Sequence, residues 1–470
     1  MEHEQCEFGM VGLGVMGSNF LMNVADSGFT AVGYDKDPKK AQALNDASGG
    51  KIDGVTTIDE FLSRLATPRK IMMLVPAGSI VDAVIDELMP HLEPGDILID
   101  GGNSYFKDTD RRTEKLEKEN LRYIGIGVSG GEEGARHGPS LMPGGSKEAY
   151  EIVRPMMEAA AAKVNGEPCV TYLGSKSAGH FVKMVHNGIE YGIMQLTAEV
   201  YDFMKRGMKL SNDDIQRLFA EWNEGELQSF LIEITANIFK QPDDKGDGLL
   251  VDKILDKAKQ KGTGKWTSQV AMDLGIPIPT IDVSVTMRFL SALKEERVEA
   301  CKDLDLGDLD VAEDRLNTEK ELEHALYFAI AITYAQGLAL LEAASEEFDY
   351  GLNLEDVARI WRGGCIIRAT FLENIMQAYR NRPDLPNLIL DESLAKIMKE
   401  RHAATRKVVQ LGVEQGIPVP AMASSLTYFD AYRSQRLPSN LTQAQRDYFG
   451  AHTYERTDEP GIFHTEWNQS

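Results

Sequence analysis

The hexapeptide Gly12-Leu13-Gly14-Val15-Met16-Gly17 follows the apolar run Phe8-Gly9-Met10-Val11 and opens a helical pattern, and it constrains the fold more than any other segment. Gly12 permits a tight turn, Gly14 lets a pyrophosphate approach the backbone, and Gly17 lets helix and strand pack closely. The helix N-terminus adds amide hydrogens and a dipole. The chain is therefore expected to begin as a strand-turn-helix unit that binds a dinucleotide through Gly12, Leu13, Gly14, Val15, Met16 and Gly17. Further apolar runs at Ala31–Tyr34, Lys70–Val75, Ile97–Asp100 and Tyr123–Ser129 alternate with helical stretches. Runs apolar at nearly every position fit strands covered on both faces of a parallel sheet.

From about Ala178 the texture changes to long helical periodicities with almost no strand signal. The expected fold class is α/β plus all-α: a Rossmann-like nucleotide domain over 1–178, an all-helical domain over 179–436, and a C-terminal arm over 437–470. The arm is polar, yet Gln443–Arg456 is too rich in aromatic, Arg and His residues for a disordered tail. It reads as ordered, docked on its own body or on a partner subunit. Within the helical region Gly192 precedes Leu196 as Gly337 precedes Leu341, and Ile215 and Phe219 match Val357 and Trp361. A duplicated helical unit and two generic amphipathic helices both account for this echo.

With 50 basic against 73 acidic residues the net charge is −23, which argues against general nucleic-acid binding. An anionic ligand would need a locally basic site in that field. The first residues carry acids where a signal peptide carries basic ones, and no apolar run reads as a membrane span, so a cytoplasmic protein is expected. Cys6, Cys169, Cys301 and Cys365 show neither a CxxC nor metal-ligand spacing, and are read as small buried apolar residues with no metal site. The acidic segment Asp303–Asp314 is read as a solvated loop.

Asp35 ends the second strand, where an acid hydrogen-bonds the adenosine ribose. Its carboxylate would repel the 2′-phosphate of NADP, whereas Lys36 beside it would attract that phosphate. The fixed, short acid is given more weight. Further along, Lys183, His186, Asn187, Glu190 and Tyr191 recur at helical spacing within Gly179–Tyr201 and share one face. Such a mixed polar stripe between apolar faces suggests the wall of a cleft. Asn103 follows a strand at the carboxyl edge of the sheet, where ligands of such folds bind. Two glycine-rich stretches, Ser129–Gly134 and Leu141–Gly145, offer backbone amides for a carboxylate or small oxyanion.

Taken together, Gly12–Phe20, Ile97–Ser104, Gly127–Gly145, Gly179–Gly192, Lys261–Ser268, Gly363–Arg368 and Gln443–Tyr454 resemble the decarboxylating 6-phosphogluconate dehydrogenases of the pentose phosphate pathway. The resemblance runs the whole length of the chain in the family's order. It implies a homodimer that binds 6-phospho-D-gluconate between its two domains and NAD(P)+ in the first. It implies Lys183 as general base and Glu190 as general acid. Asn103, Ser129, Gly130, Gly131, His186 and Asn187 would hold the sugar-acid carboxylate and hydroxyls. Tyr191, Lys261, Arg288, Arg446 and His452 would hold the phosphate, the last two from the partner's arm. Lys183 must then start neutral, its pKa lowered from about 10.4.

The cofactor contacts implied are Gly12–Gly17, the Asp35-Lys36-Asp37 triplet, Val75, Pro76, Ala77 and Asn103. Two of these depart from NADP-using relatives, which carry an Asn-Arg-Thr-like triplet in place of Asp35-Lys36-Asp37 and a lysine in place of Pro76. Both changes remove groups that would greet a 2′-phosphate and point to NAD, against the family's habit of NADP. Two other readings are a short-substrate β-hydroxyacid dehydrogenase, which would lack the C-terminal third, and a catalytically silent homologue.

Overall fold

The protein's structure, a computed structural model, describes residues 5–304 and 319–467. Most of the acidic segment Asp303–Asp314 lies outside the described residues. The first half alternates β1 (Phe8–Val11), α1 (Val15–Asp26), β2 (Ala31–Tyr34), α2 (Pro38–Ser48), β3 (Asp53–Val55), α3 (Ile58–Ser63), β4 (Lys70–Met73), α4 (Ser79–Leu88), β5 (Ile97–Asp100), α5 (Phe106–Glu117) and β6 (Arg122–Ser129). Then come α6 (Gly131–His137), β7 (Ser140–Gly145), α7 (Lys147–Ala160) and a two-stranded ribbon of β8 (Lys163–Val164) and β9 (Glu167–Pro168). Seven strands form one sheet in the order β3-β2-β1-β4-β5-β6-β7, the first six parallel. Apolar clusters pack on both faces, which is why these strands read as continuous apolar runs.

The seventh strand corrects the sequence reading. Leu141–Gly145, expected to offer amides to an oxyanion, is an edge strand antiparallel to β6, with Ser140 opposite Ser129 and Gly145 opposite Ile124. Its amides are spent on protein: the N–H of Leu141 donates to Cys169 O at 3.0 Å and that of Gly145 to Gly174 O at 2.9 Å. Pro143 and two glycines made it look like a turn, yet an edge strand tolerates proline.

The second half is built from α8 (Ala178–Asp202), α9 (Asn212–Asn223), α10 (Phe230–Ile238), α11 (Thr263–Asp273), α12 (Pro279–Ala292), α13 (Lys294–Asp303), α14 (Glu319–Phe348), α15 (Leu354–Trp361), α16 (Phe371–Asn381), α17 (Glu392–Glu414) and α18 (Pro420–Tyr432). The central helix α14 is long and apolar enough to cross a membrane, which the run-by-run reading missed, but 89% of its most apolar window is buried inside the protein. Cys169 and Cys365 are buried as expected, whereas Cys6 is half-buried and Cys301 exposed, because α13 has no buried residues.

The internal echo has a structural counterpart. Gly192 on α8 abuts Thr333 of α14, and Gly337 on α14 abuts Ile189 of α8. A second echo was missed: Gly275–Pro279 and Gly416–Pro420 lead into α12 and α18 through the same backbone turn, with φ −127° and ψ 49° at Ile278 and φ −128° and ψ 48° at Val419. Gln336 of α14 accepts the N–H of Thr280 at the start of α12, and Glu199 of α8 accepts those of Ala421 and Met422 at the start of α18. Each long helix thus caps a helix of the other half, which favours the duplicated unit. Finally, α19 (Ser439–Gly450) and a ribbon of β10 (Tyr454–Glu455) and β11 (Ile462–Phe463) make an ordered arm around buried Asp447. That carboxylate accepts from the N–H groups of Thr453 and Thr465 and from Trp467 Nε1, and pairs with His464 Nδ1.

Candidate active site

The nucleotide end has the shape its glycines foretell. Gly12 sits at φ +94°, and a side chain on Gly17 would collide with Gly12 O, so strand and helix touch here. A Cβ on Gly14 would meet nothing within 4 Å. Gly14 is also the cap residue of α1 and no side chain caps that helix, so open space lies over its first amides. A pyrophosphate fits that cradle. Leu13 is buried, Val15 exposed and Met16 half-buried.

Asp35 lies beside the loop: Oδ2 accepts the N–H of Leu13 at 2.9 Å and Oδ1 that of Asp37 at 3.0 Å, while Lys40 Nζ approaches to 3.3 Å. These donors hold its carboxyl below the ordinary range despite partial burial, so it carries charge at neutral pH. Lys36, read as a cofactor contact, pairs its ammonium with Glu87 of α4 at 2.7 Å. Asp37 caps α2, accepting from Lys39 N. Pro76 and Ala77 are exposed and Val75 half-buried in the loop after β4.

The five polar residues of the helix stripe all lie on α8 but are not solvated. Lys183, His186 and Tyr191 are buried, with Asn187 and Glu190 half-buried. A Cβ at Gly127 of β6 would collide with Lys183 Cβ, so the bare backbone of the sheet lets α8 lie against it and bring Lys183 to the interface. Burial lowers the Lys183 pKa; the nearby Glu190 and Cys365 act against that shift without reversing it. Burial likewise raises Glu190, opposed by Lys183 and Arg288. Both groups move toward their neutral forms, which is what a lysine base and a carboxylic acid donor require.

His186 is held neutral by burial and by Lys183. Its Nδ1 donates to Asn187 Oδ1 at 3.0 Å, which leaves Nε2 to accept from the Ser129 hydroxyl at 3.3 Å. Asn187 Nδ2 donates to Thr263 Oγ1 at 3.1 Å. Thr263 was not singled out by the sequence, since nothing in Lys261–Ser268 announces that the start of α11 meets α8. Gly130, at φ +114°, stacks on Gly364 O, which brings Gly363–Arg368 to the same place; Gly131 is exposed beside it. Asn103 is exposed on the turn after β5.

The phosphate-end residues separate into two groups. Arg288 of α12 stacks on the Tyr191 ring with Cζ 3.3 Å from the centroid and donates to Lys259 O at 3.1 Å, two residues before exposed Lys261. Arg446 and His452 instead stand exposed on the arm, Arg446 donating to Gln443 at 3.1 Å and His452 lying against Phe449.

Residues 7–174 match the family model described as the NAD binding domain of 6-phosphogluconate dehydrogenase, and residues 179–467 match that of its C-terminal domain. The chain belongs to the 6-phosphogluconate dehydrogenase family. Among relatives, the NADP(+)-dependent, decarboxylating 6-phosphogluconate dehydrogenase of Bacillus subtilis is 53% identical over 98% of this chain and 99% of its own. The decarboxylating enzyme 1 of Spinacia oleracea is 52% identical over 98% of this chain and 97% of its own. Among solved structures, Plasmodium falciparum 6-phosphogluconate dehydrogenase, described apo and in complex with NADP+ and with 6-phosphogluconate, superposes with a TM-score of 0.96 at 44% identity, over 98% of this chain and 100% of that one. The match to the C-terminal family model runs on through the C-terminal third of the chain and its arm, the part a short-substrate β-hydroxyacid dehydrogenase would lack.

Proposed function

We infer that the protein is a decarboxylating 6-phosphogluconate dehydrogenase, oxidising 6-phospho-D-gluconate to D-ribulose 5-phosphate and CO2 with reduction of NAD(P)+. The observation that carries the reading is Lys183 and Glu190, on one face of one helix laid against strand β6 of a dinucleotide domain, each driven by burial toward its neutral form.

When bound, the dinucleotide supplies a nicotinamide ring that accepts hydride from C3 of the substrate; Gly12–Gly17, Asp35, Val75, Pro76, Ala77 and Asn103 would hold it. Neutral Lys183 takes the proton of the 3-hydroxyl as the C3–H bond breaks, leaving a 3-keto acid. The C1–C2 bond then breaks and its electron pair forms the enediol, with the Lys183 ammonium returning its proton to the C3 oxygen. Glu190, still carrying its proton, donates to the carbon that becomes C1 of the product while the enediol hydroxyl on the former C3 passes its proton back to the now neutral Lys183 and becomes the ketone. Ser129, Gly130, Gly131, His186, Asn187 and Asn103 would position the carboxylate and hydroxyls, and Tyr191, Lys261 and Arg288 the phosphate.

A cytoplasmic homodimer belongs to the same proposal. Leu441, Tyr448 and Phe449 are exposed on the arm beside Arg446, an apolar face of the kind that subunit contacts cover. Arg446 and His452 would then complete the phosphate site of the partner.

On cofactor choice we propose that NAD serves at least as well as NADP, although the Bacillus subtilis relative is named for NADP(+). Asp35 keeps its charge where the ribose would sit, and Lys36 is drawn away to Glu87. Comparison of kcat/KM for the two cofactors with 6-phosphogluconate tests both the reaction and the preference. A hundredfold advantage for NADP, about 2.7 kcal/mol, would contradict the preference, and no turnover with either would contradict the reaction.

A further inference from the structure

Beneath the loops that face the substrate lies a buried charged network that the reaction as written does not use. Arg112 of α5 is 1% exposed, and all five of its N–H donors are committed to protein. Nε and Nη2 fork onto the Asp82 carboxylate at 2.9 and 3.2 Å. Nη2 also donates to Gly78 O at 2.9 Å, and Nη1 donates to Ser104 Oγ at 3.2 Å and Asp100 Oδ2 at 3.5 Å. No donor is left for a ligand.

The partners belong to different walls of the site. Gly78 ends the loop Val75–Gly78 on the cofactor side and, at φ +93°, holds a backbone shape that favours glycine. Asp100 is the base of the turn that presents Asn103, accepting the N–H of Gly102 at 3.0 Å and the Ser104 hydroxyl at 2.6 Å. The Asp100 carbonyl accepts from His180 Nε2 at 3.0 Å, and the Thr109 hydroxyl donates to His180 Nδ1 at 2.7 Å. Thr109 and Arg112 share the inner face of α5, and His180 lies on α8 less than one turn before Lys183. One guanidinium and one histidine therefore connect the cofactor loop, the Asn103 turn and the helix of the general base.

We propose that Arg112 is a positioning residue for hydride transfer, setting the Val75–Gly78 loop against the Asn103 turn and, through Asp100 and His180, against Lys183, while touching neither substrate nor cofactor. The inference rests on the reaction proposed above. A lysine at this position keeps the charge but not the planar fork, so it cannot hold Asp82, Gly78 and Ser104 at once. A misplacement of about 1 Å far from the chemistry costs roughly a hundredfold in rate.

The test compares Arg112→Lys with wild type under 6-phosphogluconate, with melting temperature, both binding constants and the isotope effect of deuterium at C3. Expected for Arg112→Lys are a kcat lower by about ten- to a hundredfold, binding of each ligand changed by less than about threefold, and a larger isotope effect as hydride transfer becomes limiting. Wild-type kcat and isotope effect in folded Arg112→Lys would overturn the proposal. So would a loss in kcat matched by equal losses in both affinities with no change in isotope effect, the pattern of a merely structural residue. Asp82→Asn, at a half-buried position, supplies a milder variant should the lysine substitution leave Asp100 uncompensated and unfold the domain. It should show the same split at smaller size, and an unchanged kcat and isotope effect there would equally overturn the proposal. Wild-type turnover in the same assay reports on the reaction separately from the role of Arg112.

Discussion

Replacement of Lys183 by alanine is expected to lower kcat by at least about a thousandfold while cofactor affinity, followed by fluorescence titration, stays at the wild-type level. Lys183 is buried against Gly127 of β6, and no group in the glycine cradle around Gly14 depends on it. Burial of the ammonium is what lowers its pKa and favours the free amine, because the charged form loses its hydration there and only Glu190 and Cys365 act the other way. A variant with kcat within tenfold of wild type would remove Lys183 from the chemistry. The same variant tests the shared site. Lys183→Ala and Arg446→Ala subunits should each be nearly inactive alone, yet refolded together they should regain about one quarter of wild-type activity. Half of the dimers would be mixed, and one of the two sites in each would take intact Lys183 from one subunit and intact Arg446 from the other. Mixtures no more active than their parents would contradict an arm that serves its neighbour.

Glu190→Gln is the second large effect, with kcat lower by about a hundred- to a thousandfold. The sign of its pH dependence follows from the two shifts. Glu190 must carry a proton to serve as the acid, so the rate falls as pH rises through its raised pKa; Lys183 must lack one, so the rate falls as pH drops through its lowered pKa. The two groups share one face of α8 and influence each other's charge, so the limbs of the wild-type bell belong to the pair. Glutamine leaves the low-pH limb and removes the high-pH one. Because oxidation precedes the step that needs Glu190, stopped-flow absorbance should show a first-turnover burst of reduced nicotinamide followed by slow turnover. Both limbs persisting, or a burst lost along with turnover, would contradict the assignment.

The nucleotide half was legible because its signals are local. Three glycines and an acid after two short strands shape one turn, in which Gly17 touches Gly12 and Asp35 accepts the N–H of Leu13. Helix α8 was legible for a similar reason: spacing alone puts Lys183, His186, Asn187, Glu190 and Tyr191 on one face. What spacing cannot express is what lies opposite. The partners of that face come from β6, α11, α12 and the Gly363–Arg368 turn, all distant in sequence, so Thr263 and the stacking of Arg288 on Tyr191 emerged only from the fold. The pairing of Lys36 with Glu87 emerged in the same way, since Glu87 is on another helix. Strand β7 failed because proline and glycine dominate its local signal while its edge position, a tertiary fact, decides the outcome. The Arg112 network had no sequence signature, being an arginine in a polar helix like many others.

Oxidation at C3 and loss of C1 are coupled in one site. Incubation with 6-phospho-D-gluconate labelled with 13C at C1 measures that coupling directly, by following labelled CO2 against reduced nicotinamide in the same sample. One labelled CO2 for each nicotinamide reduced, with label absent from the five-carbon product, is the predicted result. Nicotinamide reduction without labelled CO2, the outcome expected of a simple hydroxyacid dehydrogenase, would contradict it.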